Sequence, residues 1–315
     1  ARLQNVAREL LAYFTRKRGV TSQIGVFATP DGVAAAQVTP RANGKPRLDR
    51  CVYEKDAAPD AFTRALDRLP SRRAPTVTVL DPAAYRLLLV EAPEVPADEL
   101  RAAVRWRVKD LIDFHIDDAV IDVFEMPQHA RGGTRRMMYA VTAKADVVKQ
   151  AIERIEGAGL ELEVVDIPEL SLRNVATLLE AEQRGAALLY LGERRSTLLL
   201  VRQGILYLAR HMETGVATLA EAGELRADLV AGLALEVRRS LDHFESHYEQ
   251  TSIQQLHVSG LEAADRDAIA RELALNVREV DLRALFETDD ELSPELQRLA
   301  LPAIGAALRK DAVAL

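Results

Sequence analysis

One arrangement occurs twice along this chain and limits its fold more than any other feature. Residues 24–28 form a short apolar run, Pro30-Asp31-Gly32 breaks it, and residues 33–38 form a second run. After the loop 41–46 a third run covers 48–53. The order recurs at 186–191, Gly192-Glu193-Arg194-Arg195, 196–201, Gln203-Gly204 and 205–210. Runs of four to eight apolar and β-branched residues punctuated by Gly, Pro and Asp predict antiparallel strands joined by tight turns. Each set of three is followed by alternating helical and strand patterns. In the first half these are a helix at 61–69 and strands at 76–80 and 85–90. In the second, a helix at 225–247 places Leu225, Leu229, Leu233, Val237, Leu241 and Phe244 on one core-facing stripe. At roughly 150 residues per domain, 315 residues suit two such units.

The predicted class is therefore α/β, with duplicated β-β-β-α-β-α halves covering 22–180 and 181–315. That is the plan of the actin-like ATPase fold, in which two sheets face a cleft. Between the repeats lies extra material, read as an inserted small subdomain over about 91–165. It has a helix carrying Leu100, Val104, Val108, Leu111 and Ile112 inward, then a hairpin at 119–124 and 136–142 around Gly132-Gly133, with Arg131, Arg135 and Arg136 at its tip. A helix at 145–157 and a strand at 160–165 complete it. Residues 1–18 stand apart as a basic amphipathic helix. Leu3, Val6, Leu10 and Phe14 share one stripe, and Arg2, Arg8, Arg16, Lys17 and Arg18 supply its charge. Such a helix suits an anionic membrane surface or a partner, or simply a solvated terminus.

Composition narrows the function. With 48% hydrophobic and 28% charged residues the chain is globular, and its net charge of −7 argues against nucleic-acid binding. No apolar run reaches the ~18 residues of a membrane span, and no signal peptide opens the chain, so a cytoplasmic location is expected. The one cysteine, Cys51, reads as a buried reduced thiol. Walker, Gly-x-Gly-x-x-Gly and Gly-x-Ser-x-Gly motifs do not occur. His243 and His247, four apart on a helix, suit a metal by spacing, but no third ligand is evident and no metal site is expected.

Several stretches resemble the PilM family of type IV pilus assembly. Leu100 to Asp118 looks like that family's "AIRWE…YIPFPLDE" segment, and Glu236 to Phe244 its "EIRRSLDFF" helix. Val258-Ser259-Gly260 stands where the family has "LSGGG", and residues 303–309 match its closing "A.GLALR". The series covers about 22–310. Within it, Trp106-Arg107-Val108-Lys109-Asp110-Leu111 and Asp166-Ile167-Pro168-Glu169-Leu170 are most similar to the branch serving the mannose-sensitive haemagglutinin pilus. The resemblance implies a cytoplasmic scaffold, peripheral at the inner membrane. It would bind the tail of a PilN-like bitopic protein and link the platform to the assembly ATPase.

The resemblance also locates a nucleotide site, and this chain departs from it. The family's "GIDIGS" and "VDIGAS" turns correspond to residues 25–30 and 189–194, where Phe27 and Tyr190 replace both aspartates. Mg²⁺ needs oxygen ligands, and Pro30 removes a backbone donor. Leu261 replaces a glycine where adenosine would rest. Thr29, Gly192, Ser196, Thr197, Ser259 and Gly260 are then vestigial nucleotide-binding positions, and Arg194 and Arg195 either hold an anion or form an exposed turn. No cofactor is expected. The alternative is an active ATPase or small-molecule kinase using Asp31, Glu193 and Asp242 for Mg-ATP. Partner binding is assigned to Trp106, Phe114, Arg131, Arg135 and Arg136, with core packing as the competing role for Trp106.

Overall fold

The computed structural model describes residues 22–310 apart from 43, 57–58, 97, 128–135, 181–184 and 249–251. The basic segment 1–18, with Leu3, Val6, Leu10, Phe14, Arg16, Lys17 and Arg18, lies outside the described residues, as do Arg131 and Arg135.

The first half opens with the meander β1 (Gln23–Thr29), β2 (Gly32–Thr39) and β3 (Arg47–Lys55). Helix α1 (Pro59–Asp67) leads to β4 (Pro75–Val79), parallel to β1. Strand β5 (Tyr85–Glu91), helix α2 (Leu100–Val108), β6 (Ala119–Glu125) and β7 (Met137–Lys144) follow, then helix α3 (Ala145–Gly157), β8 (Glu161–Asp166) and α4 (Pro168–Leu179). The second half repeats the meander as β9 (Ala186–Leu191), β10 (Ser196–Arg202) and β11 (Ile205–Met212). It continues with α5 (Val216–Glu221), α6 (Arg226–Tyr248), β12 (Gln255–Ser259), α7 (Ala263–Leu273), β13 (Asn276–Glu279), α8 (Leu282–Leu285) and α9 (Pro294–Ala307).

The two large sheets have one topology. Their orders are β3-β2-β1-β4-β8 and β11-β10-β9-β12-β13, each an antiparallel meander extended by two parallel strands. A third sheet, β5-β7-β6, is separate and packs α2 on one face through Leu100, Val104 and Val108. The small subdomain therefore begins at Tyr85 and its sheet closes at Lys144, rather than spanning 91–165. Helix α3 and β8 belong to the first large sheet, with Val148, Ile152, Ile155 and Leu162 in its outer core.

Both sheets are covered on both faces. Helices α1 and α3 cover the outer face of the first sheet, and α6 and α7 that of the second. Leu225 departs from the predicted stripe. It sits in a 3-10 turn ahead of α6 and is 64% exposed, while Leu233, Val237, Leu241 and Phe244 are buried. Between the sheets lie α4 and α9, and they cross over. Helix α4, from the first half, packs on β9, β10 and β11, and α9, from the second, packs on β1 to β4.

Close approach explains the small residues here. A Cβ on Gly25 would fall 1.8 Å from the Ala303 carbonyl oxygen, and one on Gly305 2.1 Å from that of Ser171. Asn174 Nδ2 donates to the Gly305 carbonyl at 2.9 Å, and the buried Asp166 meets Arg309 at 2.6 Å. A buried pair of this kind is costly to break from one side, because it strands a charge away from water. The two halves thus share one interior, and the carboxyl-terminal ends of β1 and β9 open on the same cleft.

Candidate functional site

Alternation along β1 sends Ile24 and Val26 to the outer core and Phe27 to the inter-sheet face. In β9 the same alternation sends Leu189 and Leu191 outward and Tyr190 inward. Phe27 and Tyr190 consequently wall a cavity of about 430 Å³ between the halves, with Tyr53 and Tyr85 beside them. Burial pushes the Tyr190 phenol up to about 12, so it remains neutral at physiological pH. A Mg²⁺ site built on these two positions would lack carboxylate ligands.

The turns at the cavity mouth are internally satisfied. The Thr29 hydroxyl accepts from the Asp31 N–H at 3.3 Å, and Tyr53 donates to the Asp31 carbonyl at 2.9 Å. Tyr53 lies so close that a Cβ on Gly32 would meet its hydroxyl at 2.3 Å. In the second turn the Gly192 N–H donates to the Arg195 carbonyl at 2.8 Å. The Gly192 and Glu193 carbonyls accept from Val216 and Ala217 at the start of α5. The Gly192 N–H is thus committed within its own turn rather than presented to a phosphate. Arg194 pairs with Glu221 at 3.4 Å and Arg195 with Glu213 at 3.0 Å, so the two guanidiniums form an exposed, acid-paired turn.

Of the positions assigned to a vestigial nucleotide site, Thr29, Gly192 and Thr197 line the cavity. Ser196, Ser259 and Gly260 do not. Ser196 is fully buried on the opposite face of β10 from Thr197, where its hydroxyl has no hydrogen-bond partner among the described residues. Gly260 lies under the Arg298 stem: a Cβ there would sit 2.6 Å from Arg298 Cδ. Ser259 precedes it, buried at the end of β12. Leu261 also differs from expectation, since its side chain joins the core beneath α6 and α7 and does not line the cavity. Asp242 is exposed on α6, the helix covering the outer face of the second sheet, and cannot serve the cleft.

Arg298 is the residue the sequence reading missed. It is buried, with Nη2 3.6 Å from Glu193 Oε2 and Nη1 3.5 Å from the Leu191 carbonyl. The only signal was its isolation, as the one charge between Glu295 and Arg309 on an otherwise apolar helix. Also missed was Asp81, whose Oδ1 accepts from the Ala83 N–H at 2.7 Å. Burial raises its pKa, and the Asp31 charge adds to the shift. Behind Tyr85 lies the fully buried Glu169, which accepts from the Tyr85 hydroxyl at 2.6 Å. His211 Nε2 stands 2.7 Å from Glu169 Oε1, at ion-pair distance though out of line for a hydrogen bond. Tyr85 is held well above the ordinary phenol range by burial and by this carboxylate.

The described members of the assigned partner set, Trp106, Phe114 and Arg136, stand on different segments. Trp106 is 76% exposed on α2 with Lys109 Nζ 5.8 Å from its ring centroid, so it is not a core residue. Phe114 instead leans on the small subdomain's core beside Lys144, at 5.6 Å. Arg136 pairs with Glu125 at 2.6 Å, at the other end of β7 from Lys144. Eight residues at about 3.3 Å each put Lys144 and Arg136 roughly 25 Å apart along the strand. His243 and His247 stack at 3.9 Å between centroids, and no metal-holding group of three or more acidic, Cys or His residues occurs among the described residues. Cys51 is a free, buried thiol pushed up to about 12 by burial. Among the described residues no helix is long and apolar enough to cross a membrane.

Known structures share this architecture. The chain is similar to a solved PilM-PilN type IV pilus biogenesis complex, with 21% identity over 94% of this chain and 100% of that one, at a TM-score of 0.70. It is also similar to the cytoplasmic domain of EpsL, an inner membrane component of the type II secretion system of Vibrio cholerae. That match has 11% identity, covers 94% of this chain and 99% of that one, and has a TM-score of 0.52. No family model matches the chain, and no curated protein does. At these identities the likeness establishes the fold, and the duplicated sheets with crossed-over central helices define it as actin-like.

Proposed function

We propose that this chain is a PilM-like scaffold of type IV pilus assembly that holds the cytoplasmic tail of a PilN-like inner-membrane protein and has lost the nucleotide chemistry of its fold. Within that class we read it as MshI, the PilM-like protein of the mannose-sensitive haemagglutinin pilus, on the segments around Trp106 and Asp166. The observation that carries the reading is the cleft. In a fold similar over nearly its whole length to a chain of a PilM-PilN complex, two aromatic rings and a buried arginine occupy the places where Mg-ATP chemistry would need carboxylates and open backbone. The enzymatic alternative is weaker, because Glu193 faces Arg298 and Asp242 is on the outside of the molecule. Location at the cytoplasmic face of the inner membrane, through residues 1–18, belongs to the same proposal, as does a link to the assembly ATPase.

The test is co-purification of the full chain with a PilN-like inner-membrane protein, followed by titration of that protein's cytoplasmic tail as a synthetic peptide. Saturable binding supports the scaffold. A chain that captures neither the protein nor its tail overturns it.

A further inference from the structure

Three parts of the molecule meet at one buried carboxylate. Glu169 stands in the first turn of α4, from the first half, and is fully buried. Its Oε2 accepts at 2.6 Å from the hydroxyl of Tyr85, the first residue of the small subdomain's β5. Its Oε1 lies 2.7 Å from Nε2 of His211 and has no hydrogen-bond partner among the described residues. His211 belongs to β11, the edge strand of the second sheet. Two residues earlier on that strand, the Ala209 N–H donates to the Tyr139 hydroxyl of β7 at 3.2 Å. Strand β11 is thus tied to the first half at Glu169 and to the small subdomain at Tyr139, and the first of these ties carries charge.

The surroundings leave the Glu169 charge to His211. Next to Tyr85 on β5, Arg86 turns to Asp113 at 3.7 Å. Arg210 faces Glu236 of α6 at 2.7 Å, and Arg195 pairs with Glu213 just beyond β11. Asp166, ending β8, is met by Arg309 at 2.6 Å, with the charge of Arg173 on α4 felt by both. Asp81, in the loop after β4, adds negative charge on the Tyr85 side. Thr197, opposite His211 on β10, is uncharged, and burial keeps the Tyr139 phenol protonated. While the shared proton is present, the Glu169–His211 pair is neutral as a whole. Once it is lost, a carboxylate is left buried without a counter-charge, which is strongly unfavourable. The His211 side chain is 41% exposed at the wall of the inter-sheet cavity, so solvent protons reach it. Histidine is the side chain that changes charge between about pH 5 and 8.

We propose that the Glu169–His211 contact is a pH-sensitive latch: with His211 protonated it holds β11 against α4 and β5, and loss of that proton frees the strand and opens the cavity along this edge. The sign follows from the charge, since the hold is full in acid and is lost as pH rises. The inference goes beyond the scaffold reading and does not depend on what the chain carries.

Hydrogen exchange of the full chain reads the latch locally. It is followed by mass spectrometry at about pH 6 and about pH 8, with the intrinsic effect of pH on exchange removed. In wild type, protection of peptides covering β11 and β5 should fall by about fivefold or more at the higher pH, while peptides covering β12 and α7 keep theirs. His211→Gln retains a side-chain donor for Glu169 without the charge, and its protection should be equal at the two pH values. Denaturation curves check that this variant, altered at a partly exposed position on an edge strand, is folded. Tyr85→Phe removes the other hydrogen bond to Glu169 and carries the test if His211→Gln does not fold, since it should deepen the fall seen in wild type. Protection independent of pH in wild type, a fall shared equally by the whole chain, a folded His211→Gln chain that falls as wild type does, or an unchanged fall in Tyr85→Phe would each overturn the proposal.

Discussion

A single side chain in this protein is read by where its Cβ points. Phe27 and Tyr190 were placed at the cleft by the resemblance of their turns to those of the PilM family, and both line it. Arg298 and Asp81 were not legible, because their roles depend on a helix and a loop arriving from distant parts of the chain. Ser196 was assigned to the cleft by its neighbourhood in sequence, yet a one-residue step along β10 turns it to the opposite face. Trp106, with competing core and partner roles in the sequence, resolves as exposed. Trp106→Ala should change unfolding free energy by less than about 1 kcal/mol, the scale of surface substitutions. If it anchors the partner, the same variant should lose about 2 kcal/mol of tail binding. A large fall in denaturation midpoint would return it to the core. His257 gives a pH prediction. Burial, helped by Arg278, lowers its pKa from the ordinary 6.5 to about 4. Between those values the unfolded chain binds a proton that the folded chain refuses, so stability is intact above 6.5 and falls as pH drops towards 4. The loss is at most about 3 kcal/mol. Chemical denaturation across that range should show a shallower decline for His257→Gln, and an unchanged decline would assign the pH dependence elsewhere.

Elements show which parts of a fold local sequence can specify. The two meanders were legible because tight turns and short apolar runs are local, and their pairing follows from adjacency. Strand β5 was equally visible as a strand, but nothing in residues 85–91 distinguishes joining β4 from founding a separate sheet with β7. That choice rests on a long-range pairing, so the small subdomain's boundaries moved. The exchange of α4 and α9 between sheets was likewise invisible, although its residues left a trace in the small side chains from Ala300 to Ala307. The crossing point is the sensitive one. Gly305→Ala would drive a methyl into the Ser171 carbonyl, and overpacking of this kind costs ~1–3 kcal/mol or more. Urea denaturation should show a lower midpoint with a similar slope, since both halves lean on this contact. A midpoint equal to wild type would mean the helices separate without cost.

For the molecule as a whole, sharing a fold with nucleotide-binding proteins says little about whether the chemistry persists, since function resides in the site. The features of this cleft act together: the Phe27 and Tyr190 rings line it, an arginine stem covers Gly260, and the Gly192 N–H is engaged in its own turn. The remaining interior is well packed and joins the two halves through α4 and α9. The account turns on the cleft having no place for Mg-ATP. Thermal unfolding of the purified full chain with increasing Mg-ATP tests this most directly, since a ligand at 100-fold its dissociation constant stabilises by about 2.7 kcal/mol. The account predicts a melting temperature independent of Mg-ATP up to millimolar concentrations. A saturable, Mg²⁺-dependent rise would contradict it.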